Sequence, residues 1–397
     1  MKRVVLSAGV ALVTVVVMCW PRTLSSHETV TTTVLFDREI VRILNSHCVM
    51  CHIDGGPSFP LATYEDVWLQ KRKISAAVLA RHMPPWPAFS GYGRFANANT
   101  VTLRESQFIV SWMEGLGPRN GGAVFTNTSD SSAPKPQTAR ASVDLTAWPL
   151  GEPSLSRALE PVAIAPTQPN DVKRAVVDLG LTTERRVSAI EYKPGDRRVV
   201  RAAFLTIQET GQWVGSWTPW YGFTKLPEGA AFRLPAGTHI AVETHYQHVN
   251  QTVVDRGVVG VVFADAGTAP SQAPADMVLE AKGDVPAGAT AKRFHAQTVL
   301  PSDTVLLAMR PEVVPGVTSV EVSARRPDGG TDVLLFEKDI PLDWPTPFVF
   351  ADPVILRRGT SLSVTAYYAN AGTSLAPAGV RLTVSGYSPP LAKAKPK

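Results

Sequence analysis

In the first third of the chain the apolar positions fall at helical spacing. Phe36, Ile40, Val41 and Leu44 recur every few residues and predict a helix over 36–46. A second helix is predicted over 63–82, with Thr63 as N-cap, Asp66 three residues on and Pro84-Pro85 past its end. A third is predicted over 103–116, where Thr102 and Glu105 form a capping-box pattern and Gly115 and Gly117 mark the stop. Residues 121–140 lose all periodicity, are rich in Gly, Ser, Thr, Asn and Pro, and read as a linker. From 141 onward the period shortens to two. Alternating segments at 198–208, 239–249, 258–263, 304–309, 319–325, 332–336 and 361–368 are separated by turn residues. This stretch is longer than one ordinary β-sandwich, so two are predicted, 141–268 and 269–390, joined near 267–274. The expectation is thus a multidomain α plus all-β chain, with a helical unit over 34–120 and a basic tail at 391–397.

Composition supports that picture. The 33 prolines and 29 glycines suit a turn-rich β architecture, and 44% hydrophobic residues suffice for real cores. The formal charge of +5 is spread without a basic stripe or interleaved aromatics, which argues against nucleic-acid binding. A mildly basic surface suits an acidic redox partner, and equally suits plain solubility. At the start, Lys2 and Arg3 precede an uncharged, largely apolar run, Val4 to Trp20. Residues 1–25 read as an export signal or a retained N-terminal anchor, giving a periplasmic protein, soluble or associated with the membrane. Cleavage would take Cys19 away and leave Cys48 and Cys51 as the mature chain's cysteines.

Those two cysteines carry the sharpest signal, Cys48-Val49-Met50-Cys51-His52. Two thiols one helical turn apart can each form a thioether with a haem vinyl group, and the adjacent histidine can ligate the iron. A zinc site would need a second ligand cluster, and no other cysteine pair exists. The expectation is one covalent haem c, with Cys48 and Cys51 as thioethers and His52 as proximal ligand. Met83, in His82-Met83-Pro84-Pro85-Trp86, is the candidate distal ligand, because a thioether favours ferrous iron. His82 is its rival, and core packing is the bland alternative for Met83. Phe59, Tyr64, Trp86 and Trp112 are candidate haem-packing aromatics, and most suit general core packing equally. On the strand near 239–249, Glu243 and His245 share a face. The run 213–223 holds five aromatics, suited to a ligand cleft, a partner surface or core packing.

The first 120 residues resemble a bacterial cytochrome c domain, through Cys48 to His52, Met83 to Trp86, Gly91-Tyr92-Gly93 and Trp112 to Gly117. Residues 145–390 resemble the copper type II, ascorbate-dependent monooxygenases, which include peptidylglycine-hydroxylating enzymes. The matching stretches are Trp148 to Pro153, Arg197 to Val200, Leu226 to Gly229, Arg233 to Gly237 and Glu243 to Tyr246. The resemblance implies two tandem jelly-roll-like antiparallel β-sandwiches. It also implies two copper centres, which this chain lacks the residues to build. The adjacent histidine pair of one centre reads Arg201-Ala202 here, with only His245 remaining. The His-x-His region of the other corresponds to Pro311 to Val314, and no histidine follows His295 and no methionine follows Met309. Cu(I) prefers imidazole and thioether donors. Copper and copper monooxygenase activity are therefore not expected, with His245 as a remnant ligand at most.

The function these features imply is one-electron transfer by an exported monohaem cytochrome. Its degenerate monooxygenase-like module would dock or assemble it, as with a redox partner protein or a membrane electron-transfer complex. Two alternatives stand beside this: a haem-linked oxidoreductase or monooxygenase with atypical metal ligation in the sandwiches, and a haem sensor or ligand-binding module.

Overall fold

Three helical stretches precede nineteen strands in the computed structural model, which describes residues 32–120, 147–166, 171–265 and 272–389. The predicted leader at 1–25, Cys19, the linker at 121–140, the tail at 391–397 and most of the join at 267–274 lie outside the described residues.

A π-helical turn, Phe36–Ile40, runs into α1 (Val41–His47), and α2 (Tyr64–Leu79) and α3 (Leu103–Glu114) follow. Both longer helices begin with reciprocal capping boxes, Thr63 with Asp66 and Thr102 with Glu105, which satisfy otherwise orphaned backbone donors. The end of α2 comes earlier than its sequence pattern predicts. Arg81 adopts a left-handed φ of 58°, and the amides of His82 and Met83 turn back to the Ala77 carbonyl at 2.9 and 3.3 Å. Phe36, Ile40, Leu44, Val67, Ile109 and Trp112 form the core between the helices. Gly117 is obligatory at its edge: its φ is +58°, and a Cβ there would lie 2.6 Å from the Trp68 ring.

The strands are antiparallel throughout the named sheets. The first pair of sheets uses β1 (Leu155–Ala158), β2 (Val162–Ile164), β3 (Asp171–Asp178), β4 (Arg185–Lys193), β5 (Val200–Ile207), β6 (Trp213–Trp217), β7 (Phe223–Lys225), β8 (Phe232–Leu234), β9 (His239–Tyr246), β10 (Val253–Asp255) and β11 (Val258–Phe263). One sheet runs β1-β11-β4-β7 with β8 also on β4, the other runs β3-β9-β5-β6, and β10 pairs with β2. Ile190, Leu205, Phe232, Leu234, Ile240 and Val259 fill the space between them.

The second pair uses β12 (Ala275–Val285), β13 (Lys292–Val299), β14 (Thr304–Val313), β15 (Val317–Arg325), β16 (Thr331–Lys338), β17 (Phe348–Leu356), β18 (Ser361–Tyr368) and β19 (Ala376–Tyr387). Its sheets run β12-β19-β14-β17 and β13-β18-β15-β16 around Leu306, Met309, Val320, Leu335, Phe348 and Leu382. The mostly β, antiparallel character predicted from the turn punctuation is the observed one.

The helical part is sewn to the second pair of sheets. Phe89 N–H donates to the Phe336 carbonyl at 2.9 Å, and Ala96 N–H to Val349 at 2.7 Å. In return, Ala351 N–H donates to the Arg94 carbonyl at 2.8 Å. The Asn97 carboxamide accepts from Val349 N–H at 3.0 Å, and its backbone carbonyl accepts from Trp220 Nε1 at 3.0 Å. Trp86 and Ala88 are buried in the core of the second sheet pair.

Candidate functional site

The residues of the Cys-x-x-Cys-His motif sit where α1 ends. The amides of Cys51 and His52 both donate to the Cys48 carbonyl, at 3.1 and 3.0 Å, so the motif is a single tight turn. Leu61 N–H then donates to the His52 carbonyl at 3.1 Å and closes the loop that follows. Within it, His52 Nδ1 lies 2.9 Å from the Phe59 carbonyl. A carbonyl only accepts, so Nδ1 carries the hydrogen and Nε2 keeps the lone pair, the arrangement a metal-ligating imidazole needs. Burial pushes the His52 pKa down, more than the Phe59 hydrogen bond pushes it up, which favours the neutral ring.

His47 lies on the same cleft but differs. Its Nδ1 meets Asn99 Oδ1 at 2.9 Å and its Nε2 meets Glu105 Oε1 at 3.3 Å, so both ring nitrogens are engaged. Both cysteine thiols are free. Burial, reinforced by each thiol's neighbours at Cys51 and Glu105, pushes Cys48 up to about 12. Burial also raises Cys51 to about 12, against the opposing field of Arg197. Such thiols stay protonated at neutral pH, unlike the low-pKa thiolates of redox Cys-x-x-Cys enzymes.

A cleft of about 330 Å³ brings Cys48, Cys51, His52 and Met83 together. Phe59, Leu61, Ile74 and Val78 give it apolar walls. Met83 is 42% exposed and lines the cleft together with Pro84 and Pro85 of the same loop. His82 lines an adjoining pocket of about 280 Å³ with Trp86 and Phe89, and Met83 borders both cavities. Of the four candidate packing aromatics, Phe59 lines the cleft and stacks at a tilt on His52, centroids 5.1 Å apart. Tyr64 and Trp112 pack with Phe36 in the helical core. Trp86 instead packs edge-on against Phe348 at 5.2 Å, inside the second sheet pair.

The remaining wall comes from the strands. Arg201 and Gln247 of the first sheet pair, and Asp343 and Trp344 of the second, line the same cleft. Sequence patterns gave no hint of Asp343 or Trp344, placed Gln247 only on the strand face of Glu243 and His245, and marked Arg201 only as the residue at a missing histidine pair. The register explains how Arg201 arrives. Val200 pairs with Tyr246 and Ala202 with His245, so Arg201 is the extra residue of a β-bulge, a device that re-aims a side chain.

His245 lies elsewhere, on a neighbouring pocket of about 280 Å³. Its Nε2 contacts Glu243 Oε1 at 3.0 Å, and its ring sits edge-on to Phe204 at 5.6 Å. Arg310, Pro311, Glu312, Val313 and Glu337 complete that pocket, and Trp344 is a wall of both cavities. Among the described residues, no group of three or more His, Cys, Asp or Glu is disposed to hold a metal ion. The aromatic run divides its duties. Trp213, Tyr221 and Phe223 line a cavity of about 700 Å³ between the sheet pairs, and Trp220 stacks on Trp344.

No family model and no curated protein matches the chain. Among solved structures it is similar to the major capsid protein P2 from bacteriophage PM2, at 9% identity over 59% of this chain and 100% of that chain, with a TM-score of 0.26. It is also similar to PNGase F, a glycosylasparaginase from Flavobacterium meningosepticum, at 12% identity over 58% and 96%, with a TM-score of 0.26. Likenesses at these scores carry no functional argument.

Proposed function

We propose that the protein is an exported one-electron carrier with a single covalently attached haem c, whose β-sheets serve as a scaffold for docking or assembly. The observation that carries this reading is one cleft lined by Cys48, Cys51, His52 and Met83, with His52 Nδ1 held by Phe59 and Nε2 left for a metal. The donor set fits the group: two thiols for thioether bonds, an imidazole, a thioether, and apolar walls from Phe59, Leu61, Ile74 and Val78. A haem held there would supply one-electron chemistry at its iron. The chain's own residues do the rest. The Cys48-to-His52 turn fixes the imidazole beside its attachment points, and Phe59 fixes the ring's tautomer. The end of α2 ties Met83 to the cleft through the Ala77 carbonyl.

The same reading takes the helical segment as a small cytochrome c domain and the sheet pairs as jelly-roll-like sandwiches without copper catalysis. Its partner would be a redox protein or a membrane electron-transfer complex. No helix among the described residues is long and apolar enough to cross a membrane.

The test is covalent attachment. Full-length protein made in a host with haem-maturation machinery should keep its haem through acid-acetone extraction and denaturing electrophoresis. Cys48→Ala and Cys51→Ala should each reduce that retention. Release of all haem from the unaltered chain would defeat the proposal.

A second reading, a haem-linked enzyme, is favoured by one specific feature. Glu243 and His245 share a pocket with Pro311 to Val313, so the two regions matching the copper centres face one cavity beside the cleft. Titration with Cu(I) separates the readings. The carrier reading expects no pair of stoichiometric sites and no ascorbate-dependent hydroxylation; two tight coppers with substrate turnover would favour the enzyme.

A further inference from the structure

We propose that Arg201 is the counter-ion of a haem carboxylate, so that the β-sheet part of the chain sets the reduction potential of the site. This rests on the haem reading above and adds a role that neither the motif nor the cleft's apolar walls supply. A c-type haem uses its vinyl groups for thioethers and its iron for axial ligands, which leaves its two carboxylates to be met by the protein. The permanent cations lining the cleft are Lys73, on α2, and Arg201.

Lys73 is an exposed side chain whose Nζ stands 5.8 Å from the Phe59 ring centroid. Arg201 is the more enclosed of the two: its side chain is 14% exposed. It is also held in place. Nε donates to Gln247 Oε1 at 2.8 Å, and Nη1 donates to Asp343 Oδ2 at 2.7 Å and to the Asp343 carbonyl at 3.2 Å. Its guanidinium carbon lies 5.4 Å from the Trp344 ring centroid. Gln247 is anchored in turn, donating through Nε2 to the Arg198 carbonyl at 2.9 Å. Nη2 takes no part in these bonds.

A guanidinium oriented by a bulge, a carboxamide, a carboxylate and an indole is pre-organised to receive a planar anionic group. Asp343, the cleft's carboxylate, is 55% exposed and bonds Nη1, so it offsets part of the Arg201 charge and leaves Nη2 for the haem carboxylate. A fixed positive charge at a haem carboxylate would favour the ferrous state, because that state carries one positive charge fewer.

The experiment is a redox titration of full-length haem-loaded protein, followed optically. Arg201→Gln should lower the potential by about 59 mV, a tenfold shift toward ferric for a one-electron couple. Arg201→Lys, which keeps the charge, should recover at least half of the difference. Arg357→Gln, on an exposed arginine of the second sheet pair, should leave the potential at the wild-type value. Equal potentials for wild type and Arg201→Gln, with haem still covalently bound and the circular dichroism unchanged, would overturn the assignment. Should Arg201→Gln fail to fold, Asp343→Asn decides the matter. It removes the competing carboxylate and should raise the potential; no change would overturn the assignment. Absence of covalent haem from the wild-type chain would instead bring down the haem reading itself.

Discussion

Glu337 offers a test of the fold that is independent of haem. It lies in β16 opposite Val320, is 2% exposed, and its Oε2 has no hydrogen-bond partner. Burial alone pushes its carboxyl from 4.5 up to about 8. The folded protein therefore holds a proton at neutral pH that the unfolded chain releases. For an acid with a raised folded-state pKa, stability is highest below the unfolded value and falls as pH rises, until the folded carboxyl also ionises. The fall begins near 4.5 and levels off near 8. At 1.36 kcal/mol per unit, the loss is about 3 kcal/mol by pH 7 and about 5 kcal/mol above pH 8. Glu337→Gln keeps the shape and cannot ionise. The assay is urea unfolding of both proteins from pH 5 to pH 9. Glu243, His245, Arg310 and Glu312 line the same pocket in both proteins, so the quantity to follow is the difference between the two. The variant should gain on the wild type steadily as pH rises. Two curves that stay parallel across the range would refute the reasoning, because Glu337 would then titrate alike in folded and unfolded chains.

Two further outcomes follow from the site and its support. Met83→Ala should abolish the weak charge-transfer band that methionine ligation gives ferric haem, and Met83→His should lower the potential, both read by optical redox titration; an unchanged spectrum and potential would assign the distal position to another residue. Trp86→Ala should cost about 3–5 kcal/mol, as loss of a buried aromatic does; calorimetry should show that loss in the unfolding of the second sheet pair, although Trp86 lies three residues from Met83 in sequence.

What was legible in the sequence was local. The Thr63 and Thr102 caps mark their helices because a capping box is a four-residue affair. The segment 258–263 reads as a strand and is β11, since both of its neighbours are strands of one sheet and apolar residues dominate it. Other strands hide for physical reasons. Every residue of β6 is buried, so alternation vanishes. β12 lies at a sheet edge with much of its length exposed, and β19 carries Pro377 and Gly379, which read as breakers. The motif itself was plain, and so was Met83 as a neighbour of Pro84-Pro85. The strand-borne wall was not. Arg201 and Asp343 meet across 142 positions, and nothing in the periodicity of either segment points to the other. Trp86 was open between haem packing and general core for the same reason: its partner Phe348 is a late-chain residue.

The seam between residues 87–97 and the late strands has a consequence for how such a chain is made and inherited. Its ties run to Phe336, Val349 and Ala351, 247 to 257 positions later, so an early segment waits for a much later one before its surroundings are complete. A nonsense mutation shortly before 336 would therefore strip support from a region encoded more than two hundred codons earlier. The boundary that looks like a cut point in the gene, after residue 120, is not one in the molecule. Recombination that trades the N-terminal segment alone would have to carry its matching late strands with it.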